Sequence, residues 1–450
     1  MIAKLVVSGM NVARLNLSHG TGDYHRTIIS RLKKIRKDLR KPVAILMDLQ
    51  GPKIRIGNIS GGSVELRPGQ EYVLTSSSVP GDERRASVSL KSLPREVAVG
   101  HPILLADGNI ELRVERVSPP EVLCRVVVGG VLSSRKGINL PASEIEVDSM
   151  TSKDRKDLDL GLEAGIDAVA LSFVRTAADV EAVKAVMKRA GGHAPVIAKI
   201  EKHAAVDNID KILRAADGVM VARGDLGVEI DLERVPLVQK SIIQKCNALG
   251  KPVITATQML VRMVENPRPT RAEAADVANA VLDGTDAVML SEETAMGNYP
   301  VEAVQMMDRI VRAAETTLDQ RKFEHSEEMG NTRDSITRAS YHVAKEIGVR
   351  AIVTPTWSGR TANLVARFRP KQTILATTPN ETTLDFLSFS WGVVPLFIPP
   401  SATIDDMIRN SIAAARNAGH VEAGDLVVIT GGAPLHATGK TNFLKVEKVS

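Results

Sequence analysis

Seven short apolar runs, each closing on a polar or charged cluster, punctuate the chain, and helix-length segments separate most of them. They span residues 12–17, ending near Asn16 and Ser18; 43–47, ending at Asp48; 168–171, ending at Ser172; and 196–198, ending at Lys199 and Glu201. Then come 218–222, ending at Arg223 and Asp225; 253–256, ending at Thr257; and 287–290, ending at Ser291. Runs buried on both faces that alternate with helices indicate parallel strands with crossover connections. Polar residues gathered at the C-terminal strand ends are the mark of the active face of a (β/α)8 barrel, so the pattern predicts an α/β, TIM-type barrel. A doubly wound open sheet is the alternative. Seven runs are one short of closure. The first begins at residue 12, behind the helix-like stretch 2–7, so the first strand is expected to lie before residue 1. Seven strands leave two unpaired edges, and poor stability or low activity is the expectation for this exact chain.

Between the second and third runs the helical period disappears. Alternating Val-rich stretches at 63–66, 110–117 and 122–128, with an Asp107-Gly108 turn signal, predict a small all-β insertion. An insertion over a barrel mouth suits a lid. Beyond about residue 318 the polar endings stop, and the charged stretch 319–333 reads as a linker or exposed helix. Runs at 351–354, 373–376, 393–398 and 426–429 then alternate with helical segments, giving a separate α/β domain. The expected organisation is barrel 1–56, lid 57–142, barrel 143–318 and α/β domain 319–450.

Apolar residues make up 44% and charged ones 25% of the 450, which excludes disordered and fibrous classes. Aromatics at 3% are too few for a base-stacking surface, so no nucleic acid is expected. The net charge of +5 is spread among both signs and fits a small anionic substrate as well as it fits a polymer. Cys124 and Cys246 are too few and too far apart for a secreted disulfide framework, which suggests a reducing cytoplasm. The longest uncharged stretch, 386–404, is interrupted by Pro395, Pro399 and Pro400, so no membrane span is expected, nor a signal peptide at the start.

Lys199 and Glu201 are two apart on a strand, so both side chains leave on one face, and at a barrel end that face points into the mouth. Asp225 closes the next run. Two carboxylates from neighbouring strand tips beside one Lys fit a Mg2+ site with positions open to substrate oxygens, or else a buried ion pair closing the barrel. The Gly224-Asp225-Leu226-Gly227 turn offers backbone N–H groups to an anion. Thr270 and Glu273 form a capping box. Arg14 and Asn16 share a strand face, and Arg55 follows Asp48 within a Gly-Pro turn, so two guanidiniums can converge on phosphate. His19 reads as a turn histidine, and no spacing supports zinc. Gly439-Lys440-Thr441 lacks the glycine of a phosphate loop, since Pro434 stands there. Thr356, Ser358, Gly359, Arg360 and Thr361 lie between a strand and a helix pattern and could hold a phosphate, or simply cap the helix.

The segments 9–20 (GMNVARLNLSHG), 220–227 (MVARGDLG), 255–260 (TATQML) and 266–273 (NPRPTRAE) resemble the signatures of the pyruvate kinase family, and the likeness runs in the family's order over nearly the whole chain. The resemblance implies a barrel, a β lid and a C-terminal α/β domain, and transfer of the phosphoryl group of phosphoenolpyruvate to ADP, giving pyruvate and ATP. It implies that Glu201 and Asp225 ligate Mg2+ and that Lys199 stabilises charge on the phosphoryl group and the enolate; the same oxygen ligand set also accepts Mn2+. It further implies that Gly224, Asp225 and Ser172 meet substrate, that Thr257 lies near the methylene carbon with Ser291 and Glu293 behind it in a proton relay, and that Arg14, Asn16, His19, Arg55 and Lys136 meet the nucleotide, with Arg14 counted among the catalytic residues as well. Glu292 departs from the family's usual small residue.

Around Asp48-Leu49-Gln50-Gly51-Pro52-Lys53-Ile54-Arg55-Ile56 the chain is similar to members that do without K+. The Lys53 ammonium supplies the charge that a monovalent ion would bring beside Asn16, Ser18, Asp48 and Leu49. A homotetramer and a sugar-phosphate or nucleotide effector at 356–361 are further implications. Two rivals stay open at this point: a Mg2+-dependent, enolate-forming barrel lyase or aldolase, and a non-catalytic, metabolite-binding homologue.

Overall fold

The computed structural model describes residues 1–143, 148–318, 320, 323, 330–434 and 440–450. Seven parallel strands form one sheet: β1 (Val12–Asn16) and β2 (Ala44–Asp48) from the start of the chain, then, after the insertion, five more. The insertion contributes β3 (Ser63–Leu66), β4 (Glu71–Thr75), β5 (Arg85–Ser87), β6 (Pro102–Leu105), β7 (Ile110–Ser118), β8 (Glu121–Val128), β9 (Gly130–Ser133) and β10 (Ile138–Asn139). The barrel sheet resumes with β11 (Ala168–Leu171), β12 (Val196–Ile200), β13 (Gly218–Ala222), β14 (Val253–Ala256) and β15 (Ala287–Val288), in the order β1-β2-β11-β12-β13-β14-β15. All six pairings are parallel. Among the described residues, β1 and β15 each have a strand partner on one side only.

The period of two sorts each barrel strand between two environments. Ile45, Met47, Val169, Leu171, Val196, Ala198, Val219 and Val221 pack outward with the helix layer. Their neighbours Ala44, Leu46, Ala168, Ala170, Ile197, Met220, Ile254 and Ala256 face the interior. Four of those eight are alanines, too small to fill a barrel, and Phe386 and Phe389 of the C-terminal domain complete the same cluster. Phe389 is fully buried.

An aspartate stands just before β11, β13 and β15, and each ties down the start of the preceding strand in the sheet. Asp167 accepts the N–H of Ile45 at 2.7 Å, Asp217 that of Val196 at 2.8 Å and Asp286 that of Val253 at 3.0 Å. Each also meets a cation: Arg36, Lys184 and Arg369 respectively. Arg369 comes from the C-terminal domain, so this lower rim is also where that domain attaches.

The lid is a six-stranded sheet, β10-β6-β7-β8-β4-β5, with the pair β3-β9, around a core drawn from residues 54–140 alone. At the Asp107-Gly108 turn, Ala106, Asp107 and Gly108 all take positive φ, as the turn signal required. The C-terminal domain is the sheet β18-β17-β16-β19-β20, built from β16 (Ala351–Pro355), β17 (Thr373–Thr378), β18 (Val393–Phe397), β19 (Leu426–Gly431) and β20 (Phe443–Lys448), parallel except for the last pair.

One sequence expectation needs correction. The Gly224–Gly227 segment is not a turn but lies inside the helix Arg223–Glu229, whose buried Leu226 and Glu229 hold it down despite two glycines. At the end of the stretch 319–333, read as a linker or exposed helix, Asn331 caps a helix, Thr332–Ile347, by accepting the N–H of Asp334. Most of residues 319–329, like Gly439 of the discounted phosphate-loop triplet, lie outside the described residues. The antiparallel β20 was not foreseen. Thr270 caps Arg271–Asp283 with both halves of the capping box in place. Both cysteines are buried and free, and no helix among the described residues is long and apolar enough to cross a membrane.

Candidate active site

The inward positions continue past the apolar layer into a polar one: Arg14 and Asn16 on β1, Asp48 on β2, Ser172 after β11, Lys199 on β12 and Glu201 after it. Parity alone delivers these side chains to the barrel mouth, because each is an even number of residues beyond an interior valine, alanine or isoleucine: Val12, Ala44, Ala170 or Ile197. At their centre Lys199 Nζ lies 2.8 Å from Glu201 Oε1 and 3.3 Å from Asp48 Oδ1, and donates to Ser172 Oγ at 2.7 Å. Asp48 receives Arg14 Nε on its other oxygen at 2.6 Å. Glu201 Oε2 accepts the N–H of Phe173 at 2.7 Å.

Asp48, Lys199 and Glu201 are almost wholly buried, so the electrostatics turn on pairing. Burial alone would neutralise the Asp48 carboxyl, yet Lys199 and Arg14 outweigh it and hold it below the usual carboxylate range. Burial likewise opposes the charge on Lys199, and Asp48 and Glu201 override it, so the ammonium is kept protonated more firmly than usual. Glu201 goes the other way. Burial raises it, Lys199 only partly compensates, and the nearby Asp225 charge raises it further. Glu201 and Asp225 are close enough for the Asp225 charge to oppose ionisation of Glu201, a repulsion that a divalent cation with oxygen ligands relieves. Glu201 and Asp225 therefore fit a hard metal ion. Among the described residues no group of three or more His, Cys, Asp or Glu surrounds them, so the rest of a coordination shell would fall to substrate and water.

Asp225 also faces Lys53, whose Nζ is 3.7 Å from its Oδ1 and 3.9 Å from Asp107 on the lid turn. Gly224 donates its N–H to Thr257 Oγ1 at 2.8 Å, and that hydroxyl donates to the Ala256 carbonyl at 2.6 Å. Thr257 sits at φ +71, a costly conformation for a β-branched residue, and Arg223 secures it by donating to its carbonyl at 2.7 Å while pairing with Asp276. Arg223 and Asp276 were not foreseen in this role. Glu293 accepts the backbone N–H groups of Leu260 and Ser291, at 3.0 and 2.7 Å, so its link to Ser291 runs through the main chain.

The remaining positions are more dispersed. Arg55 donates to the Arg135 carbonyl at 3.1 Å, on the chain returning from the lid, whereas Arg14 is held by Asp48, so each guanidinium has its own anchor. Lys136 and His19 are exposed, and the His19 carbonyl accepts from the His25 ring. Asn16 caps the Ser18 N–H, and Leu49 is buried. In the C-terminal domain, Thr356, Ser358, Arg360 and Thr361 line a solvent-open cavity of about 700 Å³ together with Arg333, Lys440 and Trp357. Gly359, at φ +79, begins the helix Arg360–Ala366 beside that cavity, and its N–H reaches Thr356 Oγ1.

A barrel mouth that gathers a buried ammonium, further cations and a metal-suited carboxylate pair beneath a β lid defines an enzyme acting on small anions. The family model for the pyruvate kinase barrel domain matches residues 1–304, and that for the pyruvate kinase alpha/beta domain matches residues 334–447. A pyruvate kinase of Geobacillus stearothermophilus is 48% identical over all of this chain and 78% of its own length. Those of Clostridium acetobutylicum and Staphylococcus aureus (strain MRSA252) are each 44% identical over all of this chain and over 96% and 78% of theirs. The chain belongs to the pyruvate kinase family.

Proposed function

We propose that the chain transfers the phosphoryl group of phosphoenolpyruvate to ADP, forming pyruvate and ATP. The observation that carries this reading is the Asp48–Lys199–Glu201 cluster, a charge-holding centre of the kind phosphoryl transfer needs, in a chain matched end to end by pyruvate kinases. Mg2+ bound by Glu201 and Asp225, or Mn2+ in its place, supplies Lewis-acid neutralisation of the substrate oxygens. Lys199, which keeps its proton, stabilises the transferring phosphoryl group and the enolate that it leaves. Helix Arg223–Glu229 presents the Gly224 and Asp225 backbone to the substrate carboxylate, with Thr257 exchanging its present Gly224 contact for a place beside the methylene carbon. Ser172 orients Lys199, and Ser291 and Glu293 keep the segment behind Thr257 in position. Arg14, Asn16, His19, Arg55 and Lys136 form the nucleotide side.

Lys53 stands 3.7 Å from Asp225 and supports the reading that K+ is not required. The three cations and six hydroxyls around the C-terminal cavity support an effector bearing phosphate, either a sugar phosphate or a nucleotide. A homotetramer in the cytoplasm completes the proposal. The lyase and non-catalytic readings lose ground to the match of both domains to pyruvate kinases.

The deciding experiment is a coupled assay of ATP formation from phosphoenolpyruvate and ADP with Mg2+. Turnover that stops on chelation and returns with Mg2+ or Mn2+ is the expected result; a protein that makes no ATP under any of these conditions would sink the reading.

A further inference from the structure

Glu229 closes the helix that begins beside Asp225, and it is a buried carboxylate outside the cluster described above. One of its oxygens, Oε1, receives two donors. Lys202 Nζ approaches to 2.6 Å and Asn139 Nδ2 to 2.8 Å. The donors come from different bodies. Asn139 lies on β10 of the lid sheet, where the chain returns toward the barrel, and it too is buried. Lys202 follows Glu201 directly, and its ammonium lies 5.6 Å from the centre of the Phe173 ring, the residue whose N–H holds Glu201.

We infer that Glu229 is a positioning residue, the socket that fixes the lid over the catalytic cluster. The two chain crossings into the lid are otherwise joined by main-chain contacts, Ile138 N–H to the Ile54 carbonyl and Ile56 N–H to the Lys136 carbonyl, which a swinging lid can keep. Glu229 adds a side-chain contact that is made only at one lid angle. Elsewhere the lid meets the same helix through apolar contact and a long ion pair: Gly108 lies against Val228, and Lys53 spans Asp107 and Asp225 at 3.9 and 3.7 Å. Gly137 has no side chain where Lys53 passes, since a Cβ there would meet the Lys53 stem at 3.1 Å. Among the described residues, Asn139 and Glu229 thus give the lid its one short, buried polar anchor on this helix, and Lys202 carries the same anchor to the neighbourhood of Glu201. The nucleotide, gripped in the proposed function by lid-side Lys136 and Arg55, depends most on that angle. This inference rests on that reading for its kinetic consequence and on geometry alone for the docking itself.

The test is a swap. Asn139→Asp sets a second carboxylate against Glu229, and adding Glu229→Gln restores one amide facing one carboxylate, with a single negative charge left for Lys202. Since a second carboxylate set against Glu229 repels it, Asn139→Asp is expected to raise the KM for ADP by about tenfold or more, and the double variant to return to within about threefold of the original. The KM for phosphoenolpyruvate should move far less. Hydrogen exchange of the full-length protein gives a second readout that needs no activity: faster exchange at Arg223–Glu229 and at Ile138 in Asn139→Asp, reversed in the double variant. An unchanged exchange pattern in Asn139→Asp, or a double variant no better than the single one, overturns the inference. If the original protein makes no ATP, the activity reading fails while the docking is still decided by the exchange data.

Discussion

Asp167 of the barrel and Asp385 of the C-terminal domain share one cation, the Arg36 guanidinium, at 2.8 and 3.2 Å. Burial, and then the charge of Asp167, push the Asp385 carboxyl up to about 7 despite Arg36. Between its unfolded value near 3.8 and about 7, the folded protein holds a proton that the unfolded chain has released. This contribution to stability is therefore full below about pH 4 and is lost as pH rises through 7. Urea midpoints measured from pH 4 to 8 should show a decline in the original protein that is flattened in Asp385→Asn. Parallel profiles would refute this account of Asp385.

Lys199→Met removes the cation facing Asp48 and Glu201. Loss of one charge stabiliser should cut kcat by roughly 10² to 10³. Two carboxylates left buried should also cost about 3–5 kcal/mol of stability. Assay and melt must move together, and ATP formation surviving unchanged would place the charge stabiliser elsewhere.

Thr257→Val keeps the shape and removes the hydroxyl that accepts the Gly224 N–H. A fall in kcat of about 10²-fold, with a far smaller change in the KM for phosphoenolpyruvate, is expected if the hydroxyl acts at the methylene carbon. Equal loss of kcat and of thermal stability would reduce Thr257 to a structural role.

Lys53→Gln takes away the ammonium that faces Asp225. The variant should gain rate several-fold when K+ replaces an inert bulky cation, whereas the original protein should be indifferent to the exchange. Indifference in both would detach Lys53 from the monovalent-ion role.

Phe389→Ala empties the base of the barrel. A fully buried Phe truncated to Ala typically costs about 3–5 kcal/mol, enough to lower the melting temperature by several degrees without touching the mouth. A melt indistinguishable from the original would mean that the interior closes without it.

Much of this architecture was legible because parity and polarity are local. The runs ending at Asp48, Ser172, Lys199 and Glu201 announced both the strands and the residues that they lift into the mouth. What escaped depends on contacts between distant segments. Nothing near Glu229 in the chain points to Asn139, ninety residues away, and nothing near Phe389 announces a barrel interior lined with alanine. The rim aspartates did leave a trace, since Gly-Ile-Asp-Ala-Val at 165–169 and Gly-Thr-Asp-Ala-Val at 284–288 nearly repeat. The two-glycine segment at 224–227 misled because local composition favours a turn, whereas buried Leu226 and Glu229 decide for a helix.

The lid keeps a core of its own, while the interior of the barrel is finished by phenylalanines from its neighbour. On heating, the barrel and the C-terminal domain should therefore melt as a single calorimetric unit, and severing the chain between them would leave an oily hole rather than two independent folds. The lid, whose core borrows from no other part of the chain, has the self-sufficiency to pivot as a rigid paddle over an unyielding base.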